Sequence, residues 1–514
     1  MMAVPRPLLA HLESRPELAP VIDDPRLKAL AERALESART AGADYADVRL
    51  THTRHRRITP YRIGDSEDLA VGVRALVNGY WGFAASPAWS PNEMARLGRE
   101  AVNQAKTNAL GKPRTVALAP VPTVASGHWV MPVAADPFEI YPVEIQDFLA
   151  ALEIYTKRTP GAAIQSNGCF LFVQEKAFGS TDGGYCTQRL YRTSGSFAIA
   201  LTKDGKQGLG ALDLLSPAGV GWELYRDQPL REAIRRLIAE IEEDLALPVK
   251  PVEVGRYDTV FDTWSVANLV DETLGRATEL DRALGYEANA GGTSYLNDPF
   301  AMLGTYQVGA PLITVTASRR EPGGAATVQW DDEGVTPDEF SLIEDGVLVD
   351  FQTTRESAGW LAESYAKTGQ SVRSHGCAAA PSAMEPALQR APNLTLAPGA
   401  DALDFDGLVA DVSDGIAIKG LNLRMDFQGL NGLGTGRAYE VKKGKRVARL
   451  ANAGLLFRAP ELWKGLLALG GAASARRFGG STTKGEPAET TVHSVTAVPA
   501  AFKQLTTIDP QRKA

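Results

Sequence analysis

The chain has 514 residues, with 54 Lys and Arg against 61 Asp and Glu, a formal charge of −7; this argues against the basic face that non-specific nucleic-acid binding needs. Charged residues at 22% and apolar residues at 44% exclude wholesale disorder, and no apolar run approaches the roughly 20 residues that span a bilayer. The N-terminal MMAVPRPLLAHLESRPEL lacks the apolar core of a signal peptide. Cys169, Cys186 and Cys377, none in a CxxC pair, cannot make a disulfide framework, so a reducing cytoplasm is the simplest location.

Residues 25–41 read as a helix. Asp24 can cap it, Pro25 suits its first position, and Leu27, Leu30, Ala31, Ala34, Leu35 and Ala38 form one apolar stripe ended by Gly42. Strands follow at 45–52, near 58–63 and at 69–77, where Asn78-Gly79 signals a hairpin into YWGFA. Ser90 to Glu93 reads as a capping box opening a helix to about Lys106. Residues 107–135 read as a loop crossing, and a third helix spans about 143–158. Strands at 162–175, 185–192 and 195–203 come next. Leu230, Ile234, Leu237, Ile241 and Leu245 mark an amphipathic helix after Pro229.

LPVKPVEVG at 247–255, with two prolines after that helix, is the best boundary. It divides an N-terminal domain (1–250) from a C-terminal one (251–514). The expected class is α+β. The N-terminal domain carries an antiparallel sheet with helices, and the C-terminal domain is mostly antiparallel β with one long helix at about 262–284. A Gly/Ser/Thr/Lys stretch at 478–485 is the one low-complexity segment.

Residues 268–296 read NLVDETLGRATELDRALGYEANAGGTSYL. Leu269, Leu280 and Leu284 keep one side apolar, and pairs such as Glu272–Arg276 at i, i+4 each contribute only about 0.3–0.5 kcal/mol on a solvated face. The segment resembles the motif region of the TldD/PmbA family, the modulators of DNA gyrase, which are zinc metallopeptidases with the signature His-Glu-x-x-x-His. The chain keeps Glu272, Gly275 and the run Thr278 to Glu287, then Asn289 and Gly292 to Ser294. GADYADVRL, GVRALVNGYWGFAAS and EKAFGSTDGGYCTQ resemble the family's N-terminal domain. WDDEGVTPDEFSLIEDGVLVDF, APNLTLAPG, DVSDGIAIKG, YEVKKGK and PELWKGLLALGG resemble its C-terminal, barrel-like domain.

In the family, two motif histidines and a cysteine near the C-terminus hold zinc, and the motif glutamate is the general base. By that alignment Asp271 and Arg276 stand at the histidines and Thr482 at the cysteine, while Glu272 keeps the base position and Gly275, Glu279 and Asp281 support the motif helix. Catalytic zinc needs three nitrogen, sulfur or carboxylate ligands and an open position. A guanidinium has no lone pair to give. At ~4 Å and an effective dielectric of ~20 it repels a divalent cation by about 8 kcal/mol, set against the ~10–16 kcal/mol that structural zinc gains. The expectation is therefore no zinc, with Arg276 in the vacated position pairing with Asp271, Glu272 or both.

The six histidines form no HxxxH or HxH pair. His52 and His55 read as a solvated basic patch, and His375 with Cys377 as a satisfied or exposed loop pair rather than a nucleophile and base. The resemblance implies a non-catalytic subunit that pairs with a ligand-complete relative, shapes a peptide chamber and holds extended peptide by main-chain pairing. Two alternatives stand beside it. One is an active hydrolase whose rebuilt site uses Asp271 with Glu272 or Glu279 to hold manganese or weakly bound zinc. The other is a stand-alone peptide-binding homodimer. Neither nucleic acid nor membrane is an expected partner.

Overall fold

A computed structural model describes residues 24–109, 111, 116–121 and 126–511. The stretch read for a signal segment lies outside them, as do parts of the 107–135 crossing. The first helix runs Pro25–Ala41 as its signals require: the Asp24 carboxylate accepts from the Arg26 N–H, and Gly42 leaves the helix at φ 98°. Asn78 and Gly79 both take positive φ and join the strands Arg62–Val77 and Tyr80–Ser86. Ser90 Oγ accepts from the Glu93 N–H at 3.2 Å and opens the helix Pro91–Asn108. The return half of the expected capping box is not made; the Glu93 carboxylate pairs with Arg96.

The N-terminal sheet has seven strands, four of them long: Tyr45–Thr59, Arg62–Val77, Ala162–Ser180 and Tyr185–Lys203. The separate strands expected at 185–192 and 195–203 are therefore one. Gly195 lies inside the ladder because the Tyr225 hydroxyl, donating to Gly168 O at 2.8 Å, takes the space a Cβ would need. Two pairs of helices cover the sheet. Leu27 and Leu97 pack with Val48 and Val71; Leu149 and Ile234 pack with Ile199 and Leu201. Each such buried aliphatic side chain contributes about 1.5–3 kcal/mol. The expected 107–135 loop contains a short strand, Gly127–Val130, parallel to Cys186–Arg189.

After Leu247 the chain joins the C-terminal sheets, with Val249–Pro251 parallel to Arg449–Ala451. Gly255–Phe261, Asp414–Met425, Asn431–Lys442, Gly454–Arg458 and Ala500–Ile508 close into a barrel, because Asp414–Met425 pairs with both Gly255–Phe261 and Asn431–Lys442. The α+β class holds. Beside the barrel a six-stranded sheet ends in the hairpin Arg476–Lys484 and Glu489–Ala497, so the Gly/Ser/Thr/Lys stretch is strand as far as Lys484, with Gly485 in the turn. Shorter helices such as Arg355–Trp360 and Ala459–Lys464 also occur in this half. Among the described residues no helix is long and apolar enough to cross a membrane.

The long helix expected over 262–284 is broken. Helical turns over Thr263–Val270 give way to a wider π turn at Asp271–Gly275, a tight 3₁₀ turn at Arg276–Thr278 and a four-residue helix, Leu280–Ala283.

Candidate functional site

Asp262 starts the motif segment by accepting from the Ser265 N–H at 3.0 Å, and it also receives the Gly420 N–H from a barrel strand. The segment's polar groups then compete with the regular helix. Thr273 Oγ1 donates to Leu269 O at 2.5 Å and accepts from Trp463 Nε1 at 2.7 Å. Thr278 Oγ1 donates to Leu274 O, and Gln352 Nε2 donates to Gly275 O at 2.6 Å. Such side-chain bonds favour an irregular turn. In the π turn the Arg276 N–H bonds Asp271 O, five residues back. The extra residue carries position 276 around toward the face of position 271, which a regular helix would give to position 275.

The second wall is the C-terminal hairpin. Its register sets Gly480 opposite His493, Thr482 opposite Thr491 and Lys484 opposite Glu489. Alternation along the first strand buries Thr482 and Lys484 while Ser481 and Thr483 face out. Thr482 thus lies on the same inward face as Lys484, whose ammonium donates to Glu279 at 3.2 Å and to Asp281 at 2.8 Å.

Of the two carboxylates offered to Arg276, Glu272 takes it and Asp271 pairs elsewhere. His493 Nε2 lies 2.9 Å from Asp271 Oδ1, while His493 Nδ1 is buried without a partner. Burial works to raise the Asp271 pKa, but the charge and hydrogen bond of His493 prevail and hold it below the usual range. The same pair raises His493 against the effect of its own burial. Arg276 pairs with Glu272 at 2.8 Å, one turn back, with the two side chains 34% and 23% exposed. The expected clamp is therefore a half-open pair with Glu272 alone. Burial, reinforced by the Asp271 charge, keeps the Glu272 pKa raised despite Arg276.

Deeper in, Glu279 accepts from Arg282 Nε at 2.9 Å as well as from Lys484, and these cations outweigh its burial and hold it at about 2. The Gly485 N–H reaches Glu287 at 3.4 Å. Glu279 and Asp281 accordingly sit where the motif segment meets the hairpin, while Gly275 faces Leu394 and Gln352.

These side chains do not make a zinc donor set. Asp271 is engaged by an imidazole and Glu272 by a guanidinium; Thr482 offers only a hydroxyl, and an ammonium lies two residues along its strand. Among the described residues no three His, Cys, Asp or Glu side chains converge as a metal site. Sequence reasoning missed both His493 and Lys484. Lys484 was detectable as the inward-facing neighbour of Thr482 at i+2. His493, 222 residues from Asp271, carried no local signal.

His52, His55 and His375 each bond to or pack against a neighbouring side chain. His52 is buried between Glu67 at 2.6 Å and Glu175 at 3.1 Å rather than solvated as expected, and His55 packs edge-on against Phe172. His375 is satisfied, with Asp338 at 2.9 Å and Asp350 at 3.1 Å. Burial pushes the Cys377 thiol up to about 12, which leaves it no nucleophilic thiolate.

Comparison with known proteins agrees across most of the chain. The family described as PmbA/TldA metallopeptidase C-terminal domain matches residues 254–496, and PmbA/TldA metallopeptidase domain 1 matches residues 46–105. A metalloprotease of Methanocaldococcus jannaschii is 23% identical over 80% of this chain and 86% of its own length. One from Methanothermobacter thermautotrophicus is 24% identical over 73% and 76%. The fold is shared with a Thermotoga maritima structure named for modulation of DNA gyrase (TM-score 0.70, 16% identity, 94% of this chain and 100% of that one). It is shared too with TldE from Thermococcus kodakarensis (TM-score 0.67, 13% identity, 93% and 99%). The two family-model matches and these relatives together place the chain in the TldD/PmbA metallopeptidase family.

Proposed function

We propose that this chain is a non-catalytic member of its family, a subunit that binds extended peptide and helps to shape a chamber with a zinc-bearing relative. The observation that carries this reading is the pairing of Asp271 with His493 and of Glu272 with Arg276. The residue at the general-base position is neutralised by the guanidinium that stands in place of a ligand, and it has no metal-bound water to deprotonate. The rebuilt carboxylate site fares worse, because its candidates Asp271, Glu272 and Glu279 are each already held by a basic side chain.

Peptide binding needs no metal. A cleft of about 1070 Å³ runs between the long N-terminal strands and the C-terminal hairpin, and Thr490 to Val492 form part of its wall. Among the described residues these three have a strand neighbour only on the side of Arg476–Lys484; the parallel pairing on their other side covers Val495 and Thr496 alone. A free strand edge next to His493 suits main-chain pairing with an extended peptide.

The test is co-purification with a family member bearing an intact His-Glu-x-x-x-His, followed by a peptidase assay on an unstructured peptide. Activity confined to the complex, and lost when the relative's own motif glutamate is replaced, supports the reading. Chelator-sensitive activity of this chain alone overturns it. An inert homodimer that binds peptide favours the stand-alone alternative.

A further inference from the structure

The cleft also contains two guanidinium groups, of Arg192 and Arg319, that make no ion pair among the described residues. Five arginines are buried among the described residues: Arg49, Arg282, Arg319, Arg355 and Arg390. Four of them meet a carboxylate, at Asp332, Glu279, Asp182 and Glu489 respectively. Arg319 is the exception. Its guanidinium donates only to main-chain oxygens, Nε to Ala326 O at 3.2 Å and Nη1 to Ala378 O at 3.4 Å.

Arg192, in the long strand Tyr185–Lys203, faces the same cleft. It donates from Nε to Ala325 O at 2.7 Å and lies over the Phe172 ring at 5.2 Å, and it too has no carboxylate within ion-pair distance among the described residues. Burial and the like charge of Arg319 outweigh the nearby Asp332 charge and push the Arg192 pKa down to about 10.

The carboxylates nearby are engaged elsewhere. Asp332 is held by Lys176 and by Arg49. Asp331 accepts the backbone N–H groups of Glu333, Val335 and Ala378. Burial and the Glu333 charge push its pKa up to about 7 against these N–H groups and the nearby Arg319 charge. Glu385 accepts from Ser382 Oγ at 2.6 Å.

We propose that Arg192 and Arg319 form a carboxylate-binding subsite in this cleft, taking an anionic group of a peptide laid along Thr490 to Val492. A planar guanidinium presents paired N–H donors that match a carboxylate bidentately. The main-chain bonds at Nε fix both planes in advance, so little order is lost when the anion arrives. The subsite rests on the peptide-binding reading above and adds a preference to it, since main-chain pairing alone is indifferent to side chains. Two sources share the required chemistry: the terminal carboxylate of a peptide and an Asp or Glu side chain within it.

The experiment uses the full-length chain and fluorescence anisotropy with labelled, unstructured Gly/Ser/Ala decapeptides. One carries a free C-terminus and no acidic residue, one is its amide, and two further amides carry Glu or Gln at the centre. A carboxylate peptide should bind about tenfold more tightly than its neutral twin, the scale of a charge-assisted hydrogen bond. Preference for the free-acid peptide identifies the terminus as the source, and preference for the Glu amide identifies a side chain. Arg192→Gln should abolish the difference while leaving the neutral amide's affinity unchanged, and Arg192→Lys, which keeps the charge but not the fork, should retain part of it. Arg192 is only half-buried, so these variants avoid the folding risk of replacing Arg319. Equal binding of acidic and neutral peptides, or a preference that survives Arg192→Gln, overturns the subsite and leaves peptide binding intact. Failure of every peptide to bind overturns both.

Discussion

Lys484 donates to Glu279 at 3.2 Å across 205 residues of sequence and joins the C-terminal hairpin to the motif segment. In a zinc-bearing relative, by the resemblance above, a metal ion would bridge these same two elements. Here an ammonium and an imidazole from the hairpin reach carboxylates of the motif segment, Lys484 to Glu279 and Asp281 and His493 to Asp271.

Lys484→Met should therefore be among the most destabilising single changes in the chain. The lysine side chain is 2% exposed, and its removal leaves Glu279 and Asp281 buried with less compensation. A loss of about 3–5 kcal/mol is expected for breaking a buried pair, read from urea unfolding. Adding Asp281→Asn to Lys484→Met should recover part of that loss. A single variant as stable as wild type would show that the ammonium does not hold the hairpin.

Arg276→Ala should do much less. Its pair with Glu272 is one-third open to water and spans a single helical turn, so the loss should be about 0.3–0.5 kcal/mol. A drop of several kcal/mol would mean that Arg276 serves as the buried clamp expected from the sequence.

Much of the fold was legible because its signals are local. Asp24, Pro25 and Gly42 bound a helix by capping alone, and Asn78-Gly79 sets a hairpin by backbone conformation. The motif helix misled because Leu269, Leu280 and Leu284 continue an apolar rhythm that tertiary hydrogen bonds from Trp463 and Gln352 interrupt. The expectation at Asp271, Arg276 and Thr482 rests on the resemblance alone. The partner of Asp271 was not, since His493 reaches it only through the pairing of the final hairpin.

His375 should make stability depend on pH. Burial lowers its pKa, but the hydrogen bonds and charges of Asp338 and Asp350 prevail and push it up to about 8 from an ordinary 6.5. A histidine raised in the folded state stabilises fully below pH 6.5, and that contribution is lost as pH rises through about 8. The stability difference between wild type and His375→Gln should thus shrink by about 2 kcal/mol over that interval, measured by denaturant titration. His493, also raised, contributes with the same sign in both proteins and cancels. A difference that is constant with pH would contradict an imidazolium at His375.

Restoring Asp271→His, Arg276→His and Thr482→Cys together should return zinc binding, because the π turn already brings 271 and 276 toward one face and Thr482 already points inward. Isothermal titration with zinc reads the outcome, with the fold checked by circular dichroism. A folded triple variant that ignores zinc would show that one of the three positions is misaligned.

The most direct measurement is the metal content of the purified wild-type chain after equilibration with excess zinc and gel filtration, beside a relative with an intact His-Glu-x-x-x-His. The account requires zinc in the relative and none retained by this chain, since Asp271 is held by His493 and Glu272 by Arg276. One tightly held zinc per chain, removable by chelator, would contradict it.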